Sequence, residues 1–386
     1  MTATTVEGRL VLDDRIAAGR LRIEDGRIAA VRLDRDDGTG PGTGSARGPN
    51  APIISPGFVD IHVHGGGGHD AMGGASALTG MARHLLQHGV TSFLPTAVSA
   101  PLPALAGFAR DVRAWIPRAG SDGAEPLGFN LEGPFLAPTR RGAHDPTALR
   151  VPADVGRAEL EPLLDGLRVI TIAPELAGAL ELIGWLRERG VVSSIGHSAA
   201  TLDQALAAIA AGATSTTHLF NAMSGVDHQR PGLAVAALGD DPTWVELIAD
   251  EEHVHPSLWP IVTRTKPDGR VVLVSDGIPA AGLGDGRGSI GGLEIEVVGS
   301  RATLLGTTTL AGSVIALDTA VRNLVGAGLS LPFAVAAASR NPLALLGVDD
   351  RGRLAVGQRA DLVELDGALH VRRVMRAGSW FGGAAG

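Results

Sequence analysis

Apolar residues along this chain gather into short runs that stop abruptly at polar side chains. Such runs close at Val63, Thr96, Leu131, Ala173, Ile195, Leu219, Ala249 and Val274. Helix-like patterns occupy most of the gaps, over 74–89, 101–116, 176–190, 201–212 and 256–265. Eight β-type runs with helices interleaved predict an α/β fold, a (β/α)8 TIM-like barrel, with a doubly wound open sheet as the competitor. After the eighth run, 288–305 reads as an inserted hairpin pair. Helices over 313–327 and 332–346 follow, the second broken at Asn341-Pro342.

The two ends of the chain look alike. Residues 6–33 and 352–380 are short strands with turns at Asp25-Gly26 and Asp366-Gly367. They predict one small β-sandwich domain formed from both termini, with 1–55 and 351–386 as its two parts and 56–350 as the barrel. The Gly/Pro/Ser-rich stretch 36–52 reads as a linker or loop tip.

Composition narrows the chemistry. The 386 residues are 45% hydrophobic, enough for a large core, and the formal net charge of -8 gives no electrostatic case for nucleic acid. Cysteine is absent, so there are no disulfides, thiolate metal sites or cysteine nucleophiles. Lys266 is the sole lysine, which leaves almost nothing for Schiff-base chemistry or a carbamylated metal bridge. The N-terminus has no basic-then-apolar signal pattern and no run is long enough to span a bilayer, so a cytoplasmic protein without membrane contact is expected.

The residues that end the apolar runs carry the functional reading. The first run ends in His62 and His64, which share a strand face. Others end in Asn130-Leu131-Glu132, Gly196-His197, Thr217-His218, Ala249-Asp250 and Ser275-Asp276. In a barrel these C-terminal ends converge on one mouth. Imidazoles with carboxylates there suit one or two divalent cations with a position open to water. Each residue alone has a plainer reading: a hydrogen-bonded histidine, or an aspartate capping the next helix. His84 and His88 fall on a predicted helix and are expected to be ordinary surface or core residues, and His69 a loop residue. The glycines 65–68 are expected to let the backbone pass close to metal and substrate.

Taken in order, PGFVDIHVHG, NLEGPF, GHSAAT, THLFNAM, IADEEHVHP, LVSDG and TLAGS resemble the N-acetylglucosamine-6-phosphate deacetylases of the amidohydrolase superfamily. The resemblance runs over essentially the whole chain. It implies Glu132, His197 and His218 as ligands of a principal metal, with His62 and His64 where some members hold a second. It implies Asp276 as the catalytic acid/base and His144 as a partner of the carbonyl or oxyanion. His253, Asn221 and Ala222 would meet the sugar phosphate, and Leu310 the acetyl group. The cofactor would be one or two divalent metals, with zinc, iron, manganese and cobalt all compatible. The substrate would be a small amino-sugar phosphate, and the assembly a homodimer.

Two departures bear on the substrate. In His228-Gln229-Arg230-Pro231-Gly232, Gln229 stands where the family has a phosphate-gripping arginine supplied across the dimer, and Arg230 is one step along. A neutral amide does not replace a guanidinium fork. Glu251 and Glu252 add negative charge beside His253. Either Arg230 swings in and the glutamates face solvent, or the substrate is an unphosphorylated N-acyl amino sugar or another N-acyl amine. Asn130 replaces a frequent histidine beside the Glu132 motif. A cyclic-amide hydrolase and a non-catalytic barrel are the remaining alternatives.

Overall fold

The computed structural model describes residues 3–34, 51–267 and 269–382; most of the stretch read as a linker lies outside them. Eight parallel strands form the central sheet: β1 Phe58–Val63, β2 Val90–Ala97, β3 Phe129–Phe135, β4 Leu167–Ile172, β5 Val192–Ile195, β6 Ser215–Thr216, β7 Trp244–Ile248 and β8 Val271–Val274. They pair in sequence order from β1 to β8. The ring closes at the mouth, where the Asp276 N–H donates to the His62 carbonyl at 3.0 Å and the His64 N–H to the Gly277 carbonyl at 2.8 Å. The TIM-like barrel is therefore the fold.

Both strand faces are buried, which is why the runs are apolar throughout instead of alternating. Val59, Ile61, Leu94, Val169, Ile248, Val272 and Val274 form one inner cluster. Leu343, Leu345 and Leu346 join it from the last helix. The outward set, including Phe58, Phe93 and Phe129, packs under the helices.

Seven helices sit close to the expected positions or fill gaps: Gly74–Gln87, Leu102–Trp115, Arg157–Leu164, Ala179–Arg187, Leu202–Ala211, Leu233–Gly239 and Trp259–Thr265. The third and sixth were not read from the sequence. They are short, and Pro162 interrupts the pattern of the third. The late helices are Leu317–Gly326, Leu331–Ala338 and Arg340–Leu345. The break falls at Ser339, not at Asn341-Pro342. Pro342 lies in the first turn of the final helix, where a missing N–H costs nothing.

Strands from the two ends join in one seven-stranded sheet, meeting where Leu362–Leu365 pairs with Ile53–Pro56. In order these are Ser379–Phe381, Val371–Arg376, Leu362–Leu365, Ile53–Pro56, Thr4–Val11, Ile16–Glu24 and Arg27–Leu33. The insertion after β8 is a four-stranded sheet, Gly286–Ile290, Leu293–Val298, Arg301–Leu304 and Leu310–Ser313. Its last strand carries Leu310 to the barrel mouth.

Candidate metal centre and active site

Strand ends deliver the functional side chains, and the backbone is unusual where they do. His197, His218 and Asp276 follow β5, β6 and β8 with φ of 45°, 26° and 50°. Non-glycine residues rarely hold that conformation, and it is commonest at functional sites.

Glu132 is the centre of the arrangement. Imidazole nitrogens of five histidines lie within reach of its two oxygens: His62 at 3.4 Å, His64 at 3.2 Å, His144 at 3.0 Å, His197 at 3.0 Å and His218 at 2.8 Å. Asp276 lies 3.2 Å from His64 and 3.6 Å from His62. All are buried. Burial by itself raises the Glu132 carboxyl, but the imidazoles of His144, His62 and His197 hold it well below the ordinary range. Burial likewise opposes ionisation of Asp276, and the His64 hydrogen bond with the charges of His62 and His64 brings it down to about 2.

The hydrogen bonds on the far side of each ring place the protons. His62 Nδ1 faces the Glu246 carboxylate at 3.0 Å, His64 Nδ1 the Thr96 carbonyl at 3.1 Å, and His197 Nδ1 the Arg140 carbonyl at 2.8 Å. In all three the partner only accepts, so Nδ1 carries a hydrogen, and in the neutral ring Nε2 presents a bare lone pair to the centre. His144 is the reverse. Its Nδ1 accepts from the Ser99 N–H at 3.1 Å, so the neutral ring carries its hydrogen on Nε2. Burial pushes this imidazole down to about 4 even though Glu132 pulls the other way. Distance alone groups His144 with Glu132 and His197 as potential ligands. Proton placement separates it from them as a donor.

With neutral rings, three bare nitrogens point at two carboxylates, acceptors facing acceptors. Without a cation the crowding draws in protons instead: although burial lowers both imidazoles, Glu132 and Glu246 raise His62 while Asp276 and Glu132 raise His64 to about 9. His62 Nε2 is buried with no hydrogen-bond partner, and His197 Nε2 and His218 Nε2 sit 3.1 Å apart. An unsatisfied buried polar atom costs about 1–3 kcal/mol. The donor set fits a divalent cation, which takes the place of the missing hydrogens. His62, His64 and Asp276 form one such group and Glu132 with its histidines the adjoining one.

A cavity of about 330 Å³ opens over this cluster. It is lined by His64, Glu132, His144, His197, His218 and Asp276, and by Asn221, Ala222, His253 and Leu310. His253 Nδ1 is held by Asp250 at 2.6 Å; although burial lowers the His253 pKa, that contact raises it above the usual histidine value. Gln229 and Arg230 are not brought in. Both are exposed, and their N–H groups fold back onto Asp227 Oδ1 at 2.8 Å each. The acidic pair is elsewhere too. Glu251 is exposed, while Glu252 accepts from Ser300 Oγ and lies 3.4 Å from Arg301 Nε, so it clasps the inserted sheet.

The glycines 65–68 also do something other than expected. They are not part of the cavity wall. The Gly67 and Gly68 N–H groups bond to the Ala281 and Pro279 carbonyls in the loop after Asp276. A Cβ on Gly66 or Gly67 would lie 2.6 or 2.8 Å from the His84 ring. Their close approach is to that loop and to His84, a half-buried residue of the helix Gly74–Gln87. His88 pairs with Asp318 at 3.1 Å.

Sequence reading missed the residues behind the ligands: Glu246, Asp60, Thr96, Ser99 and Arg140. The available signal was a carboxylate inside an apolar strand, in WVELI and FVDIHV. Asp60 is buried enough that its pKa rises to about 7, despite bonds from Ser275 and His62.

Among the described residues no helix is long and apolar enough to cross a membrane. The family model described as Amidohydrolase family matches residues 53–383. N-acetylgalactosamine-6-phosphate deacetylase of Escherichia coli O157:H7 is 39% identical over 362 residues, 92% of each chain. N-acetylglucosamine-6-phosphate deacetylase of Homo sapiens is 41% identical over 343 residues, 84% of this chain and 82% of that protein. A variant of the N-acetyl-D-glucosamine-6-phosphate deacetylase of Mycobacterium smegmatis, solved in complex with N-acetyl-D-glucosamine-6-phosphate, superposes with a TM-score of 0.89 at 37% identity, covering 98% of this chain and 99% of that one. With a match of this length and these relatives, the chain belongs to the Amidohydrolase family, on its N-acetylglucosamine-6-phosphate deacetylase branch.

Proposed function

We propose that this protein hydrolyses the N-acetyl group of an amino-sugar 6-phosphate, N-acetylglucosamine-6-phosphate, giving glucosamine-6-phosphate and acetate. The observation that carries this reading is the split of histidine tautomers: bare Nε2 atoms on His62, His64 and His197, and an Nε2–H on His144. The first set, with Glu132 and His218, would hold a divalent cation; zinc, iron, manganese and cobalt all suit such ligands. A cation bound there supplies Lewis-acid polarisation of the amide carbonyl and a lowered pKa for water.

The chain's own residues do the rest. Asp276 stays ionised at neutral pH and takes a proton from the attacking water, then returns it to the departing amine nitrogen. The His144 Nε2–H donates to the carbonyl oxygen as negative charge develops on it. Leu310 and the inserted sheet cover the acyl end, and Asn221, Ala222 and His253 line the sugar side. The N-acetylgalactosamine-6-phosphate relative makes the epimer a second arm of the test.

Acetate release is measured on both N-acetylhexosamine 6-phosphates and on free N-acetylglucosamine, with metal content determined on the same preparation. Release from a 6-phosphate that stops on chelation and returns with metal is expected. Turnover confined to unphosphorylated N-acyl amines would replace this reading with the alternative that Gln229 raises.

A further inference from the structure

If the substrate carries a phosphate, its counter-charge must come from somewhere other than Gln229. We propose that Arg140 is the phosphate-gripping residue, supplied by the same chain; this rests on the deacetylase reading above. Among the described residues it is the only arginine or lysine that lines the cavity over the metal centre. It also lines the adjoining cavity of about 660 Å³, so the residue stands where the two meet.

Its backbone is fixed while its guanidinium is not used. Arg140 ends the short turn Pro138–Arg140, its N–H donates to the Ala137 carbonyl at 2.9 Å, and its own carbonyl accepts from His197 Nδ1 at 2.8 Å. The neighbouring Arg141 spends its guanidinium on the His144 carbonyl at 2.8 Å. The Arg140 side chain is exposed and makes no ion pair or hydrogen bond with any described residue. Nearly every other charge near the mouth is engaged. His253 is paired with Asp250, and Glu252 is turned away onto Ser300 and Arg301. An arginine with a fixed root, a free planar fork and no neutralising partner is suited to bidentate recognition of a phosphate monoester.

Arg230 is the competitor. It lines only the adjoining cavity, in a turn tied to Asp227. The two are separated by comparing R140A, R140K and R230A. The readout is the ratio of kcat/KM for N-acetylglucosamine-6-phosphate to that for N-acetylglucosamine. Calorimetric binding of glucosamine-6-phosphate against glucosamine gives the same comparison without turnover. R140A is expected to lower the ratio by about 10- to 100-fold, the scale of losing charge-assisted hydrogen bonds. R140K, which keeps the charge and loses the fork, is expected to fall between. Because the Arg140 carbonyl remains in every variant, the His197 contact is preserved. The proposal is overturned if R140A reduces both substrates in the same proportion, or if R230A collapses the ratio and R140A does not. Failure of the wild type to release acetate from either sugar strikes the deacetylase reading instead.

Discussion

Charge is dense at both ends of the barrel, fully buried at the mouth and half-buried at the other end, and the two clusters are built on different rules. At the mouth, five imidazoles crowd one carboxylate, lone pairs face oxygens and His62 Nε2 has no partner. At the N-terminal end, Glu125 beside β2 accepts from Arg359 and from Arg351 at 3.1 Å, with Arg376 at 3.8 Å. There the donors are permanently protonated and Asp350 and Asp361 share the remaining contacts. Arg351, Arg359 and Arg376 belong to the C-terminal segment, so this network fastens the terminal sheet to the barrel. The lesson is that burial and charge density do not mark a reactive site. Nor does one unmatched atom, since Arg359 Nη2 has no hydrogen-bond partner either; the mouth is set apart by imidazole lone pairs crowded on carboxylate oxygens, an arrangement that a cation satisfies and folding alone does not.

That contrast breaks or sharpens under substitution. The largest effect is expected for Asp276→Asn, which removes the proton acceptor while leaving the ligands: turnover falls by about 10²-fold or more with metal content retained. Near-wild-type acetate release in that variant would rule out its assigned role. Glu246→Gln comes next. Its carboxylate accepts from His62 Nδ1 and from the His218 N–H at 3.2 Å, so it sets the orientation of two rings without touching the cavity. Metal affinity is expected to weaken by about 10-fold or more, read by metal titration; an unchanged affinity would show that the ring positions do not depend on it.

Glu125→Gln should do the opposite to both. Turnover stays at the wild-type level, and stability to denaturant drops by about 2 kcal/mol at neutral pH. Burial by itself raises the Glu125 carboxyl, but Arg359 and Arg351 hold it below the ordinary value of 4.5. Its contribution is therefore complete above that value and disappears as pH falls through the lowered one. The gap between variant and wild type should close in acid. A gap that persists there would assign the loss to packing and not to charge.

Much of this was legible in the sequence. The strands, the convergence of His62, His64, Glu132, His197, His218 and Asp276, and the hydrolytic character of the mouth follow from apolar runs that end in ligand-type residues. What neighbours in the chain do not reveal has one cause. Within the chain Glu252 is held by Ser300 and Arg301, and Gln229 by Asp227, partners set by the fold or by a turn and not by the charge of adjacent residues. The glycines after His64 were matched to the wrong surface because His84 and the Pro279–Ala281 loop approach them from elsewhere in the fold.

The sequence by itself determined the barrel and the kinds of atoms brought to its mouth, since strand period and residue type are local properties. Only the tertiary structure decided where the Nδ1 hydrogens of His62, His64 and His197 go, that Glu246 stands behind His62, and that Arg140 lines the cavity with no partner for its guanidinium among the described residues. Those are properties of pairs of groups far apart in the chain, and their energies exist only once folding has excluded water from between them.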